Sequence, residues 1–253
     1  DLALDGLGGL YVIGWFDAPS SNTAMSFGHS TSHQITSNSS GNYGSYLAKL
    51  STSGGQWQWA RGWDSHWADW THQSISSDGN GSIVISNTLR SNITIGIHSL
   101  NVSTTSDDVF VAKISTNGVW QWAISGGGDY GETPRAIGVD DSGRIFVAGE
   151  FSSQTATFGN FTINLLEGNW DGFIAHVSSA GVWLDATRIN QRFFDIAVQG
   201  TGQFHLTGGN SSWLFLEEDS DDDDDSLDDI SDDCSTGDLG WTSGPITDHD
   251  SDG

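Results

Sequence analysis

Cysteine, proline and basic residues are scarce in this chain of 253 residues, which contains 1 Cys, 3 Pro and 8 Lys or Arg. A single cysteine excludes a fold held together by internal disulfide bonds. Against 33 acidic residues the formal net charge is −25, and such a chain lacks the basic patches that nucleic acids and anionic membranes require. No apolar run approaches the roughly 18 residues of a membrane span, so no membrane insertion is expected in this segment. The balance instead favours divalent cations or a salty medium.

Glycine and tryptophan are abundant, with 33 and 12 residues. Apolar side chains recur with period 2 in short runs, and no window has the spacing of an amphipathic helix. Many short strands joined by tight turns fit this composition, and the length suffices to bury a sizeable core. The sequence therefore predicts an all-β protein.

One passage occurs three times in the chain. FVAKISTNGVWQWA (110–123) is preceded by YLAKLSTSGGQWQWA (46–60) and followed by FIAHVSSAGVWLDA (173–186). The first tryptophan of each copy lies 63 residues from the next: Trp57, Trp120 and Trp183. Self-similarity at a fixed period predicts stacked copies of one structural unit.

Each unit has four strand-like pieces, and a fourth unit begins at Asp195 and is incomplete. In the third copy the pieces are 136–140, 144–151, 171–178 and 182–189, with a fifth short segment at 157–163. Gly126-Gly127-Gly128 opens no helix and is interpreted as a loop. Four strands per unit with short connections are typical of a β-propeller blade, whereas a β-sandwich would show no fixed period. We predict a partial or small propeller of three to four blades over residues 1–216, with 47–50, 111–114 and 174–177 in equivalent strands of different sheets.

The units resemble the bacterial and archaeal seven-bladed β-propeller repeat family. The resemblance lies in Val139-Asp140, Gly143, FVAGEF (146–151), Phe158-Gly159, DVFVAK (108–113) and WQWA (120–123), and it covers about residues 2 to 216. It implies a propeller fold and no particular activity. Only three units and part of a fourth are visible, and the chain opens in the middle of the pattern, so we expect a processed or truncated piece of a larger modular protein.

From Glu217 onward the composition changes to 16 acids with no Lys or Arg. Residues 217–253 have too little apolar surface to order themselves by packing. The spacing of their aspartates resembles a thrombospondin type 3 repeat, which implies a calcium loop with Ser226 in place of the turn glycine. The resemblance places the calcium ligands at Asp221, Asp223, Asp225, Leu227 (by its carbonyl), Asp229 and Asp232. The alternative is an acidic tail that binds cations only diffusely. Cys234 is a free thiol, or pairs with a partner as the resemblance implies.

The segment RGWDSHWADWT (61–71) departs from the repeat without a change of length. Where the next unit has ISGGGDYGETP, this one adds Trp63, His66, Trp67 and Trp70. Exposed aromatics beside polar groups suit stacking on sugar rings or anchoring a protein partner. The alternative is that they cover the end of a blade.

We expect a non-catalytic extracellular or cell-surface module for display, adhesion or ligand binding, followed by a calcium-stiffened linker. Six Asn-x-Ser/Thr sequons add mild weight to an extracellular location. A glycan or a surface protein is the expected partner. A glycan-binding or glycan-cleaving propeller that uses the Trp63–Trp70 loop is the alternative, and a structural spacer without a ligand is a third.

Overall fold

The structure is a computed structural model, and it describes residues 1–20, 22–28, 33–37, 42–65, 72–103, 106–166, 169–208 and 211–215. Within these ranges every regular element is a β-strand, apart from a single 3₁₀ residue, so the predicted all-β class is confirmed. No helix in the described part of the chain has the length and apolarity to cross a lipid bilayer. Residues 1–215 form one compact unit.

The strands follow the turn signals of the sequence. In chain order they are β1 (Leu2–Leu4), β2 (Gly9–Ala18), β3 (Ala24–Ser26), β4 (Gln34–Thr36), β5 (Asn42–Ser51), β6 (Trp57–Ser65), β7 (Ser74–Ser77), β8 (Ile83–Leu89), β9 (Ile93–Ile95), β10 (His98–Leu100), β11 (Asp108–Ile114), β12 (Trp120–Gly128), β13 (Glu132–Val139), β14 (Ile145–Phe151), β15 (Thr155–Phe158), β16 (Phe161–Asn164), β17 (Asp171–Val177), β18 (Trp183–Ile189), β19 (Asp195–Gln199), β20 (Gln203–Gly208) and β21 (Ser211–Phe215).

The long strands form a series of antiparallel sheets with the same order. The first sheet is β1-β2-β5-β6, the second is β7-β8-β11-β12, the third is β13-β14-β17-β18, and the described part of the fourth is β19-β20-β21. The segments 47–50, 111–114 and 174–177 occupy the third strand of the first three sheets, as predicted. These repeated four-stranded sheets are consistent with propeller-like blades.

A small hairpin joins the second and third strands of each of the first three sheets: β3–β4, β9–β10 and β15–β16. The sequence predicted only one short segment there. The hairpin β15–β16 also extends the second sheet, because Thr157 and Ala156 pair with Gly127 and Gly128 of β12. The interpretation of Gly126-Gly127-Gly128 as a loop is therefore wrong. A side chain at Gly128 would collide with Thr155 and Ser153, so glycine allows the strand to continue beneath the hairpin.

The hydrophobic core lies between successive sheets. Along β11, Phe110, Ala112 and Ile114 pack toward the first sheet, whereas Val109 and Val111 pack toward the third. A strand buried on both faces needs apolar residues at consecutive positions, which explains the continuous apolar runs in β8, β11, β14 and β17. A third cluster, which includes Phe146 and Phe204, joins the third and fourth sheets.

Tryptophans of the fourth strands tie each of the first two sheets to the next. The Trp59 Nε1 donates to the Thr116 carbonyl at 2.9 Å, and its ring lies on Gly118. Trp122, 63 residues later, donates to the Ser179 carbonyl at 3.1 Å and lies on Gly181. Both glycines have positive φ, so a side chain there would be strained as well as blocked. In the third sheet the corresponding residue is Asp185, which instead pairs with His176.

The up-and-down order gives the sheets two distinct ends. One end carries the turns from the first to the second strand and from the third to the fourth, and we call it the turn face. The other carries the links from the second to the third strand and from the fourth strand to the next sheet, and we call it the connection face. First strands of successive sheets lie side by side, with Ile137 N donating to Ser74 Oγ at 3.2 Å.

Candidate functional site

Large aromatic side chains are exposed on the connection face around the third sheet. Tyr130, Trp170 and Phe194 expose 61%, 39% and 53% of their surface. Tyr130 lies in the link between β12 and β13, Trp170 directly precedes β17, and Phe194 lies in the link between β18 and β19. Three exposed rings grouped at one end of a sheet form a surface that is available to a partner.

A buried carboxylate fixes two arginines within this group. The Oε1 atom of Glu150 accepts a hydrogen bond from Arg135, and its Oε2 atom accepts one from Arg192. Burial raises the pKa of Glu150, but the hydrogen bonds from Arg192 and Arg135 outweigh burial and leave that pKa below its ordinary value. The carboxylate is therefore ionised at neutral pH and holds both guanidinium groups in place.

Each of these arginines lies against one of the exposed rings. The Arg192 Cζ is 5.8 Å from the centroid of the Trp170 ring, and the Arg135 Cζ is 5.9 Å from that of Phe194. Both distances lie within the range of a cation–π contact. The tip of the Trp170 indole also reaches Gly131, where an added Cβ would be 3.2 Å from Cη2. We call Trp170, Arg192, Glu150, Arg135 and Phe194 the aromatic–arginine cluster.

His72 lies beside the cluster and contacts Arg135 through its Nε2 atom. Burial is the main cause that lowers the pKa of His72, the charge of Arg135 adds to it, and Glu150 offsets it in part. The imidazole is therefore uncharged at neutral pH. It contributes a polar contact to Arg135 without adding a positive charge.

Half of the basic residues of the chain lie at the connection face. Besides Arg135 and Arg192, Arg90 pairs with Asp107 at 2.7 Å and Arg188 pairs with Asp171 at 2.5 Å. These are four of the 8 basic residues of the chain. The connection face thus combines planar hydrogen-bond donors with exposed aromatic rings.

A pair of carboxyl groups is buried where the second and third sheets meet at this face. The Oε2 atom of Glu132 accepts from Gly128 N at 2.7 Å, and Asp108 accepts from Ser103 N at 2.6 Å and from its hydroxyl at 2.8 Å. Burial raises the pKa of Glu132 to about 7, and the nearby Asp108 charge adds to the effect. Burial also raises the pKa of Asp108, and this effect outweighs the hydrogen bonds from Ser103, which lower that pKa. Both groups are closed to solvent, so we assign them to the packing of the sheets.

An open cavity of about 520 Å³ lies on the turn face. It is lined by the turns that follow the first strands of three sheets, including Asp5, Asp78 and Asp140. The Asp5 carboxylate accepts from Leu7 N and Gly9 N and pairs with Lys49, while Asp78 and Asp140 cap their turns in the same way. These carboxylates are used by the fold, and within the described ranges no three metal-ligating side chains form a possible ion site.

The residues that the sequence singled out are only partly described. Trp63 is 6% exposed and packs edge-on against Phe110 and Trp120, so its ring belongs to the core between the first two sheets. His66, Trp67 and Trp70 lie outside the described residues, and their role stays a prediction. The predicted calcium ligands lie outside the described residues as well, and they stay a prediction: Asp221, Asp223, Asp225, Leu227, Asp229 and Asp232.

The aromatic–arginine cluster was not singled out from the sequence, although a signal for it exists. By the 63-residue period, Trp170 and Arg192 correspond to Asp107 and Asp129 in the preceding unit. An acidic pair is thus replaced by an indole and a guanidinium group. Comparing each connecting link with its copy one period earlier would have drawn attention to both positions.

No family model and no curated protein matches this chain. Among solved structures, the chain is similar to a protein of unknown function from Bacteroides caccae, with 14% sequence identity and a TM-score of 0.36. The match covers 64% of this chain and 46% of that protein, so the chain spans less than half of its length.

Proposed function

We propose that residues 1–216 form a non-catalytic β-propeller module of an extracellular or cell-surface protein, and that the module binds a surface partner through its connection face. One observation carries this proposal. Trp170 and Phe194 remain exposed while a buried Glu150 holds an arginine against each ring. Rings fixed in this way lose little conformational entropy on binding, which favours a recognition surface.

The turn face offers a contrast that supports this assignment. Its carboxylates accept backbone N–H groups and pair with Lys49, Lys113 and Arg144, so their polar groups serve the turns themselves. Its exposed apolar side chains include Val119 and Val182, in the turns between third and fourth strands, and Leu4 and Leu7, at the first turn of the first sheet. Unlike Trp170 and Phe194, these side chains are aliphatic. Scattered apolar residues of this kind are normal on protein surfaces.

Surface plasmon resonance of the full chain on immobilised cell-surface polysaccharides and matrix proteins would test the proposal. We expect binding to at least one surface that is lost in Trp170→Ala/Phe194→Ala and kept in Val119→Ala/Val182→Ala. The second variant is the matched control, since it removes two exposed apolar side chains from the opposite face. Absence of binding to every surface would favour the spacer hypothesis. Equal binding by both variants would show that Trp170 and Phe194 do not form the binding surface.

Glycan recognition by the Trp63–Trp70 loop is the second candidate. It is favoured by the strands that flank this segment, because β6 ends and β7 begins at the connection face. With Trp63 buried, the contribution to a ligand would come from His66, Trp67 and Trp70. Selective loss of glycan binding in Trp67→Ala would support this candidate.

We further propose that residues 217–253 act as a calcium-binding linker. Five aspartates of the proposed loop repel one another, and a bound divalent cation would offset that repulsion. Because Ser226 stands where the pattern has glycine, we expect weak affinity in the range of extracellular modules. Isothermal titration should give calcium-selective heat that Asp223→Asn/Asp225→Asn abolishes. Equal responses to calcium and magnesium would indicate a simple polyanion.

A further inference from the structure

The side chains of the aromatic–arginine cluster are held in a more defined arrangement than a general adhesive surface requires. Its rings are held from within, because Arg192 and Arg135 both bind Glu150 and each lies against one ring. Moving either ring's arginine would break an ion pair with a buried carboxylate, which is strongly unfavourable. Trp170 and Phe194 therefore form a prearranged pair.

We propose that Trp170, Arg192 and Phe194 form a saccharide-binding site. This inference rests on the proposed function, since it specifies the ligand of the connection face. A sugar ring has C–H groups on its faces and hydroxyl groups at its edge. An exposed indole or phenyl ring packs against the C–H groups of a sugar face. Arg192 uses its Nε atom for Glu150, and its side chain is 46% exposed, which leaves the amino groups of the guanidinium fork as donors to hydroxyl oxygens.

The size of the cluster favours a sugar over a protein partner. Three half-exposed rings, with Tyr130 included, present roughly 300 Å² of aromatic surface. A stable protein interface needs about 800 Å² on each partner. One or two sugar units match the smaller area, and the net charge of −25 disfavours nucleic acid.

The repeat shows that packing does not require these residues. One period earlier, Asp107 and Asp129 stand at the positions of Trp170 and Arg192, and Gly131 stands at that of Phe194. The second sheet forms with the same order and the same core positions without an aromatic ring there. Glu150 accounts for the two arginines, but the third sheet also carries two exposed rings that its fold does not explain, and sugar binding accounts for their chemistry.

The test is an array of immobilised neutral and uronic-acid-containing oligosaccharides, followed by titration calorimetry of the full chain with the oligosaccharide retained best. We expect at least tenfold weaker binding for Trp170→Ala and for Phe194→Ala, and unchanged binding for Val119→Ala/Val182→Ala. Arg192→Lys keeps the charge and the contact with Glu150 but removes the fork, and we expect weaker binding from it as well. Circular dichroism would verify that each variant folds. If Trp170→Ala fails to fold, the single variants Phe194→Ala and Arg192→Lys still test whether the cluster binds the sugar.

Three outcomes would overturn the inference. Oligosaccharide binding that survives in Trp170→Ala and Phe194→Ala but is lost in Trp67→Ala would assign the sugar site to the segment between β6 and β7. Binding to matrix proteins without binding to any saccharide would retain the proposed function and reject its sugar ligand. Binding to neither would reject both.

Discussion

At the scale of single residues, two tryptophans and two glycines connect the sheets. Trp59 and Trp122 each donate an indole hydrogen bond to the next sheet and lie on a glycine with positive φ, Gly118 or Gly181. Gly55 has the same place in the turn of the first sheet and the same sign of φ, but a Cβ there would meet no atom within 4 Å. All three turns therefore need glycine for its positive φ, but only Gly118 and Gly181 also need it because a tryptophan ring packs on them.

Gly181→Ala is expected to destabilise the protein more than Gly55→Ala. Both substitutions place a side chain in the left-handed region, at about 1 kcal/mol. Only the first puts a Cβ about 2.6 Å from the Trp122 ring, which adds roughly 1–3 kcal/mol by overpacking. Urea denaturation of the two variants would measure the difference. Equal losses would show that the Trp122 contact contributes little.

The buried Glu132 should make stability depend on pH. Its pKa is raised to about 7 in the folded protein from an ordinary value of 4.5, so the folded state binds the proton more tightly. The destabilisation is therefore complete above pH 7 and disappears as the pH falls toward 4.5. Glu132→Gln is expected to stabilise the protein by on the order of 2–3 kcal/mol at pH 8 and much less at pH 5. Denaturation curves at both pH values would check this, and a pH-independent effect would contradict it.

At the scale of elements, the first turn of each of the first three sheets is built around an aspartate. Asp5 caps Leu7 N and Gly9 N, and it pairs with the buried Lys49 at 3.1 Å. Burial raises the pKa of Asp5, but these donors outweigh burial and leave the pKa lowered. The stabilisation is thus present above pH 3.8 and is lost as the pH falls through the lower folded pKa.

Asp5→Ala is expected to lower stability by about 3 kcal/mol, because it leaves a buried ammonium group without its counter-ion and two turn N–H groups without their acceptor. Asp141→Ala is the control, since Asp141 is exposed in the corresponding turn of the third sheet, and it should change stability by less than about 0.5 kcal/mol. Thermal unfolding of both variants at pH 7 would measure the contrast. Similar losses would mean that the aspartate cap and ion pair are not the source of the effect.

Most strands could be predicted from the sequence because their alternation and turn residues repeat. The segments 47–50, 111–114 and 174–177 illustrate this, since the same apolar pattern places each in a third strand. Gly126-Gly127-Gly128 could not be assigned, because glycine in a strand is explained only by the hairpin that covers it. The aromatic–arginine cluster could not be predicted as a group either, since Glu150, Arg135 and Arg192 come from separate elements and meet only in the folded protein.

At the scale of the whole molecule, acidic residues far outnumber basic ones. Before Glu217 the chain has 17 acids and 8 Lys or Arg, and from Glu217 onward it has 16 acids with no Lys or Arg. The basic residues mostly sit in partly buried pairs, such as Lys49 with Asp5 and Lys113 with Asp78. The excess of acidic over basic residues therefore opposes the compact state by self-repulsion.

Raising the sodium chloride concentration from 0.02 M to 0.5 M is expected to increase the melting temperature by several degrees. Screening reduces the repulsion between exposed acids while leaving buried pairs largely unaffected. A chain that ends at residue 216 should gain less, because it lacks the acid-rich segment. Differential scanning calorimetry would check both expectations. A melting temperature that falls with salt would show that attractive pairs dominate.

The tryptophan contacts between sheets have a direction, and this matters during synthesis of the chain. Trp59 finds its acceptor only when Thr116 has been made, and Trp122 only when Ser179 has been made. Each of the first two sheets is thus synthesised before the acceptor of its tryptophan, so assembly should trail translation by about one 63-residue unit. At Asp185 the pattern ends, since this residue pairs within its own sheet. The third sheet can therefore complete its own contacts without waiting for a tryptophan acceptor downstream.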